Sequence, residues 1–506
     1  MTLPDLNFSV VGPIVWVAIG AMVVLLGEVL LSRATTFLGR RVTDSYIGSV
    51  LAVSAMFFLG LAAYMSIVHA ASGVALPFNP DHSMFQLDRF SATLTALICL
   101  AALLSCALSI AYLDELHINH GEFYALLLFA TSGMMLMVAA VDMLPIFLGL
   151  ELMSIPIYVL AGFDRRKLRS NESALKYFLM GSFASAILLY GVALLYGVSG
   201  ATSFAAIRAA FDFDNPMAVA GLGLVIVGFA FKISSVPFHQ WTPDVYEGAP
   251  SAVTAFMSVT VKVAAVAAFL RVIALSFEPL GPTFTNVIWV LAALTMVVGN
   301  VMALIQDNVK RLLAYSSIAH AGYLLIGFVP GTQDGYAAVV FYLIAYVFMN
   351  LGAFAVVVVL AHRGNDCERM ESFAGLAKLR PGLAALMTLF MVSLAGIPGT
   401  AGFMGKLMIF SSAVSAGEVP LAVIGVLMSV VSVYYYLRLP VLMYMREPGD
   451  AEPRMELASG EAIVLAVCAV AVLYLGLMPN GSLPILGEVR VLDWARDSIA
   501  LLFAGI

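Results

Sequence analysis

The chain has 506 residues, of which 62% are hydrophobic and only 11% charged, with a formal net charge of −6. A soluble globular protein carries roughly 25% charged residues, so this much apolar surface could not be covered by water-facing side chains. The composition is that of a polytopic membrane protein, and the scatter of lysines and arginines over loops, with no basic stripe, excludes nucleic-acid binding.

Four cysteines (Cys99, Cys106, Cys367, Cys468) form no CxxC pair and no iron–sulfur spacing. They read as packing residues, so the chain is expected to carry no cluster of its own. The first apolar run is too long for a secretory signal peptide, and Asp5 stands where a basic n-region would be; this run is expected to remain as the first transmembrane helix.

Apolar segments long enough to span fall at 10–31, 46–68, 89–113, 123–141, 143–162, 174–198, 217–238, 251–275, 285–306, 311–329, 335–361, 382–413, 419–445 and 459–478. Each is near the ~20 residues a helix needs to cross hydrocarbon, which predicts an all-α protein of about fourteen spans. One set of loops holds Arg33, Arg40, Arg41, Arg165, Arg166, Lys167, Arg169, Lys176, Lys310, Arg311, Arg363, Arg369, Lys378, Arg380, Arg446 and Arg454. The other face holds only Arg89, Arg208, Arg271, Arg490 and Arg496. That asymmetry places both termini outside the cytoplasm. The tail 486–506 reads as an amphipathic helix on the outer surface, and 201–211 as a second such segment. The polar loops 362–381 and 446–459 are too short to fold alone, so any chemistry must be built inside the membrane.

With the loop charges set aside, the ionisable groups at depth are Glu28, Glu151, Lys232, Lys262, His320, Lys406 and Arg438; Asp142 and His239 lie nearer span ends. A lysine at a span centre costs about 2.5–3.5 kcal/mol on insertion scales, so several in one chain call for a function. Glu151 is expected to pair with a lysine of another helix, Lys232. Lys232 and Lys262 fall on consecutive spans, and desolvated lysines can release a proton when a nearby carboxylate or water moves. Snorkelling fits Lys262 poorly, because it lies about ten residues from either end of its span. His320 has the intrinsic chemistry of a proton relay. The HxxH of His117 and His120 sits at a span end beside Asp114 and Glu115 and reads as a solvated loop rather than a metal site.

Two apolar segments carry signs of broken helices. In the seventh span Pro237 follows Lys232 by five residues. In the twelfth, Gly396, Pro398, Gly399 and Gly402 precede Lys406. The latter superficially suggests a phosphate-binding loop, but Thr400 replaces its first glycine and Leu407 its magnesium-binding hydroxyl. Irregular backbone at depth is tolerated where it lines a hydrated cavity. Two such spans five apart predict two five-helix repeats, spans 4–8 and 9–13, the second inverted relative to the first. The expected divisions are a three-helix segment 1–120, repeats at 121–278 and 279–446, and a last helix with the amphipathic tail at 447–506.

The stretches Gly149–Pro156, Glu172–Phe178, Lys232–Pro250, Asp307–His320 and Ala395–Lys406 resemble the antiporter-like membrane subunits of respiratory complex I over about 120–445. Within that family the chain is most similar to the N subunits, with a lysine at 406 and no long lateral helix after the last span. The resemblance implies a bacterial inner-membrane subunit in which Glu151 pairs with Lys232. It implies further that Lys262 lies on a central hydrated axis and that Lys406 links this axis to a neighbour or the outside. It also implies that NADH, FMN, iron–sulfur clusters and quinone are bound by partner subunits, and that neighbouring antiporter-like subunits are partners. Two other readings stay open: a subunit of a multisubunit Na⁺(K⁺)/H⁺ antiporter, and a structural spacer whose buried ions only specify assembly.

Overall fold

The computed structural model describes residues 6–37, 44–79, 83–361, 368–448, 457–483, 487–488 and 490–504. Asp5, Arg40, Arg41, Arg363, Cys367 and Arg454 lie outside these residues. The helices in chain order are α1 (Gly12–Phe37), α2 (Asp44–Ser72), α3 (Arg89–Glu115), α4 (Gly121–Ala139), α5 (Met143–Ala161), α6 (Leu168–Ser199), α7 (Phe204–Ala210), α8 (Pro216–Ile233), α9 (Trp241–Gly248) and α10 (Ser251–Ser276). They continue with α11 (Pro282–Leu304), α12 (Val309–Ile326), α13 (Gln333–Leu360), α14 (Leu376–Leu379), α15 (Pro381–Ala395), α16 (Ala401–Ser415), α17 (Val419–Met445), α18 (Ser459–Leu477) and α19 (Val491–Ala504). Among the described residues the other regular elements are small: a 3₁₀ turn at Met370–Phe373 and two antiparallel two-residue ladders, Leu76–Pro77 with Gln86–Leu87 and Ser482–Leu483 with Gly487–Glu488.

Among the described residues, twelve helices are long and apolar enough to cross a membrane. Large apolar side chains such as Leu26, Leu30, Phe57, Phe183 and Val430 are largely exposed on them. In water so much bare hydrocarbon would drive aggregation; against lipid tails it is the expected outer surface. The protein is a multi-pass helical membrane protein.

The chain divides into two compact units. The first comprises Met1–Lys232, Thr260–Pro279 and Ala500–Ile506, the second Ile233–Val259 and Leu280–Ile499. In the first, α4 and α5 meet at small residues. A Cβ on Gly149 would stand 2.8 Å from the Gly133 carbonyl oxygen, and one on Gly133 would strike the backbone nitrogen of Met153. Glycine at both positions lets the two backbones close and fixes the rotation of α5, the helix that carries Glu151. In the second, α10 begins and α11–α18 follow, with α13 almost wholly buried.

Several expectations change. The seventh span ends at Ile233, before Pro237 rather than at it: Pro237 has no N–H to bond the Ile233 carbonyl four residues back, and its ring would clash with that carbonyl in a continued helix; Ser234 takes a left-handed φ of 65°. Arg271 and Lys310, read as loop charges, are both fully buried. Glu28, counted among the ionisable groups at depth, accepts a hydrogen bond from the Gly121 backbone N–H at 3.0 Å and so ties α1 to the start of α4. In the 201–211 segment, α7 buries Phe204 and Ile207 and exposes the remainder in part, as an amphipathic turn should.

Candidate proton-relay site

In the first unit, Glu151, Ser154 and Tyr158 lie on one face of α5, spaced three and four residues apart. Lys232 reaches this face from the last turn of α8, where the negative end of the helix dipole favours an ammonium. Its Nζ donates to Ser154 Oγ at 2.7 Å and lies 3.5 Å from the Tyr158 hydroxyl. The rings of Tyr158 and Tyr177 flank it, each centroid 5.4 Å away. The predicted partner Glu151 acts on Lys232 through space, yet it makes no ion pair with it, and Glu151 Oε1 is buried without a hydrogen-bond partner. Ser154, one turn further along the same face, takes the ammonium instead. Lys262 is 3% exposed on α10, a helix buried throughout its most apolar eighteen residues.

In the second unit, hydroxyls take up the backbone freed where α8 ends. Thr295 Oγ1 accepts from Val236 N–H at 3.0 Å and bonds Ser235 Oγ at 2.8 Å, and Thr242 Oγ1 donates to Ser234 Oγ at 2.7 Å. The second break lies between α15 and α16. Gly396 closes α15 with a φ of 85°, a conformation that suits glycine. A helix end leaves carbonyls without intrahelical donors, and here Lys406 supplies them. Its Nζ donates to the carbonyls of Leu394 at 3.2 Å and Ala395 at 2.9 Å, and to Ser429 Oγ at 2.8 Å.

His320 and Lys406 come together around Tyr323, whose ring centroid is 5.8 Å from the imidazole and 4.8 Å from Lys406 Nζ. His320 Nδ1 bonds the Tyr342 hydroxyl at 2.6 Å and Nε2 the Tyr436 hydroxyl at 3.1 Å; Tyr436 in turn bonds Ser316. Asn300 Nδ2 donates to Tyr323 at 3.3 Å, and Tyr435 donates to Asn300 Oδ1 at 3.0 Å. The rings of Tyr435 and Tyr436 lie 4.4 Å apart. The result is a buried strip of exchangeable hydroxyls beside an imidazole and an ammonium. We expect Tyr436→Phe, which removes only the oxygen that bridges His320 and Ser316, to slow proton transfer through this subunit about tenfold. Assembly should be retained, as judged by proton uptake in vesicles normalised to complex content.

Sequence reasoning found the ionisable groups and missed the hydroxyls that hold them. Ser154 and Tyr158 at helical spacing from Glu151, and Ser316 and Tyr323 at the same spacing from His320, were the available signal. Arg438, counted among the ionisable groups at depth, pairs with Asp307. Lys310 bonds the Ala249 carbonyl at 2.7 Å and Glu368 at 3.0 Å, and Arg311 bonds Asp244 and Glu247, both at 2.9 Å.

Helices broken at depth, with Lys232 and His320 held by hydroxyls and Lys406 by two carbonyls and a hydroxyl, define a membrane protein of the antiporter-like, proton-conducting class. A family profile described as NADH:quinone oxidoreductase/Mrp antiporter, TM, matches residues 140–432. NADH-quinone oxidoreductase subunit N of Trichlorobacter lovleyi is 46% identical over 454 residues, 88% of this chain and 91% of that one. A chain of respiratory complex I from Thermus thermophilus is 34% identical with a TM-score of 0.78, over 94% of this chain and 99% of that chain. A chain of the Mrp complex from Dietzia shares the fold at 22% identity and a TM-score of 0.84, over 99% and 98% of the two chains. The chain belongs to the NADH-quinone oxidoreductase subunit N family.

Proposed function

We propose that this chain is a proton-translocating membrane-arm subunit of NADH–quinone oxidoreductase in the bacterial inner membrane, beside other antiporter-like subunits. NADH, FMN, the iron–sulfur clusters and quinone are bound by its partners. In this reading α12 and the α15–α16 pair supply two further spans, for fourteen in all. Spans 4–8 (121–278) and 9–13 (279–446) form inverted repeats between the 1–120 segment and the 447–506 tail, and both termini are outside the cytoplasm, as the loop charges require.

The observation that carries the mechanism is Lys232 held by Ser154 while Glu151 Oε1 stays unpartnered. Glu151 and Ser154 are three residues apart, about 4.5 Å along the helix axis, so the ammonium can change partner without moving its backbone. A charge change arriving along the membrane arm shifts Lys232 between the carboxylate and the hydroxyl. On the hydroxyl its proton is less firmly held and passes toward Lys262. His320 relays, and Lys406 releases the proton by way of its tyrosine-lined pocket. The test is a native gel of mildly solubilised membranes stained for NADH dehydrogenase activity and probed for this chain. Co-migration with a large NADH-active band is expected. A smaller, NADH-inactive assembly would reject this reading in favour of a cation/proton antiporter, to be assayed by Na⁺-driven proton movement.

A further inference from the structure

We propose that Glu28, His120 and Glu122 form a binding site for a divalent transition cation of the zinc class, independent of the proton relay. The HxxH motif alone did not suggest it, because the third ligand comes from a distant part of the chain. α1 delivers Glu28 to the start of α4, where His120 is the N-cap residue and Glu122 lies in the first turn. One ligand atom from each of the three lies within 4.8 Å of the other two. Ligands bound at 2.0–2.2 Å in a tetrahedron stand about 3.4 Å apart, so small side-chain rotations bring the three onto one ion.

The local construction favours this. The His120 ring makes no capping hydrogen bond to α4, so capping does not occupy its nitrogens. The bond from Gly121 N–H to Glu28 Oε2 orients that carboxylate, the kind of outer support that ligating carboxylates have. All three side chains line a cavity of about 550 Å³, roomy enough for water to complete the coordination. An imidazole with two carboxylates suits a borderline ion such as Zn²⁺ better than Mg²⁺ or Ca²⁺, which prefer oxygen alone. Arg166 also lines the cavity, but its guanidinium is engaged by Asp164 at 3.1 Å and by the Leu116 carbonyl at 2.5 Å. A bound ion would cross-link α1 to α4.

The test uses the full chain purified with its copurifying subunits, washed with chelator, incubated with Zn²⁺ and freed of excess metal. Zinc per chain is then measured by mass spectrometry. The wild type should retain about one zinc more than His120→Ala or Glu122→Gln, with equimolar Mg²⁺ or Ca²⁺ failing to displace it. Glu122 is exposed, so its amide variant decides the matter even if the histidine variant folds poorly. Equal zinc loading of wild type and Glu122→Gln at every concentration would overturn the proposal.

Discussion

Replacing Lys262 with arginine is expected to slow proton translocation through this subunit sharply while preserving its charge. Lys262 lies eleven residues into α10, about 16 Å from the helix start at 1.5 Å per residue. That is beyond the reach of a lysine side chain, so snorkelling to the interface does not explain the residue, and burying an ammonium there needs a compensating use. Arginine supplies the same charge but holds its proton at any physiological pH. It therefore separates charge from proton exchange, which alanine does not. Loss of a positioned proton-transfer group is expected to slow transfer by about 10²-fold. NADH-driven proton uptake in inverted vesicles, referred to electrons transferred and to assembled complex, is the measurement. An unchanged proton-to-electron ratio in a fully assembled arginine variant would show that Lys262 is structural and that the relay runs elsewhere.

The parts of this protein legible in its sequence were those that membrane physics writes in single residues. Length and hydropathy mark helices such as α2 and α13 because hydrocarbon thickness sets their extent. Lys232, Lys262 and Lys406 stand out because a charge in an apolar run is rare. The glycines before Lys406 announced the break that the structure places between α15 and α16. Partnership was not legible. Nothing in the sequence says whether Lys232 rests on Glu151 or on Ser154, since both lie on the same face of α5 and the choice is made by sub-helical-turn placement of α8. Tyr323, Tyr342, Tyr435 and Tyr436 pass in sequence for ordinary aromatic packing, and their role as neighbours of His320 and Lys406 depends on how three or four helices meet. Arg271 was read as a loop charge because it lies near the end of its apolar run, where only the fold can distinguish a solvated guanidinium from a buried one.

That buried guanidinium gives the largest expected stability effect. Arg271 is fully buried and Asp88 nearly so. Nη2 donates to Asp88 Oδ2 at 2.6 Å, and Nη1 to Oδ1 at 3.2 Å and to the Val138 carbonyl at 3.2 Å. Asp88 also caps α3, accepting from Ser91 N–H at 2.7 Å while Ser91 Oγ accepts from the Asp88 N–H at 2.9 Å. Asp88→Ala therefore removes a cap and leaves a guanidinium buried without its counter-charge. The cap is worth about 1 kcal/mol and the broken pair about 3–5 kcal/mol, so the second effect dominates. The variant should accumulate poorly and melt well below the wild type in detergent. Asp88→Asn keeps the cap oxygen and should fall between the two. The double variant Asp88→Asn with Arg271→Met removes both charges and should regain most of the loss, because the cost comes from the unpaired charge rather than from the absence of the pair. If Asp88→Ala melted with the wild type, the pair would be solvated in the membrane-embedded protein. If instead the double variant were as unstable as Asp88→Ala, shape complementarity around Arg271, including its stacking 5.8 Å from the Phe90 ring centroid, would account for the stability in place of the charge.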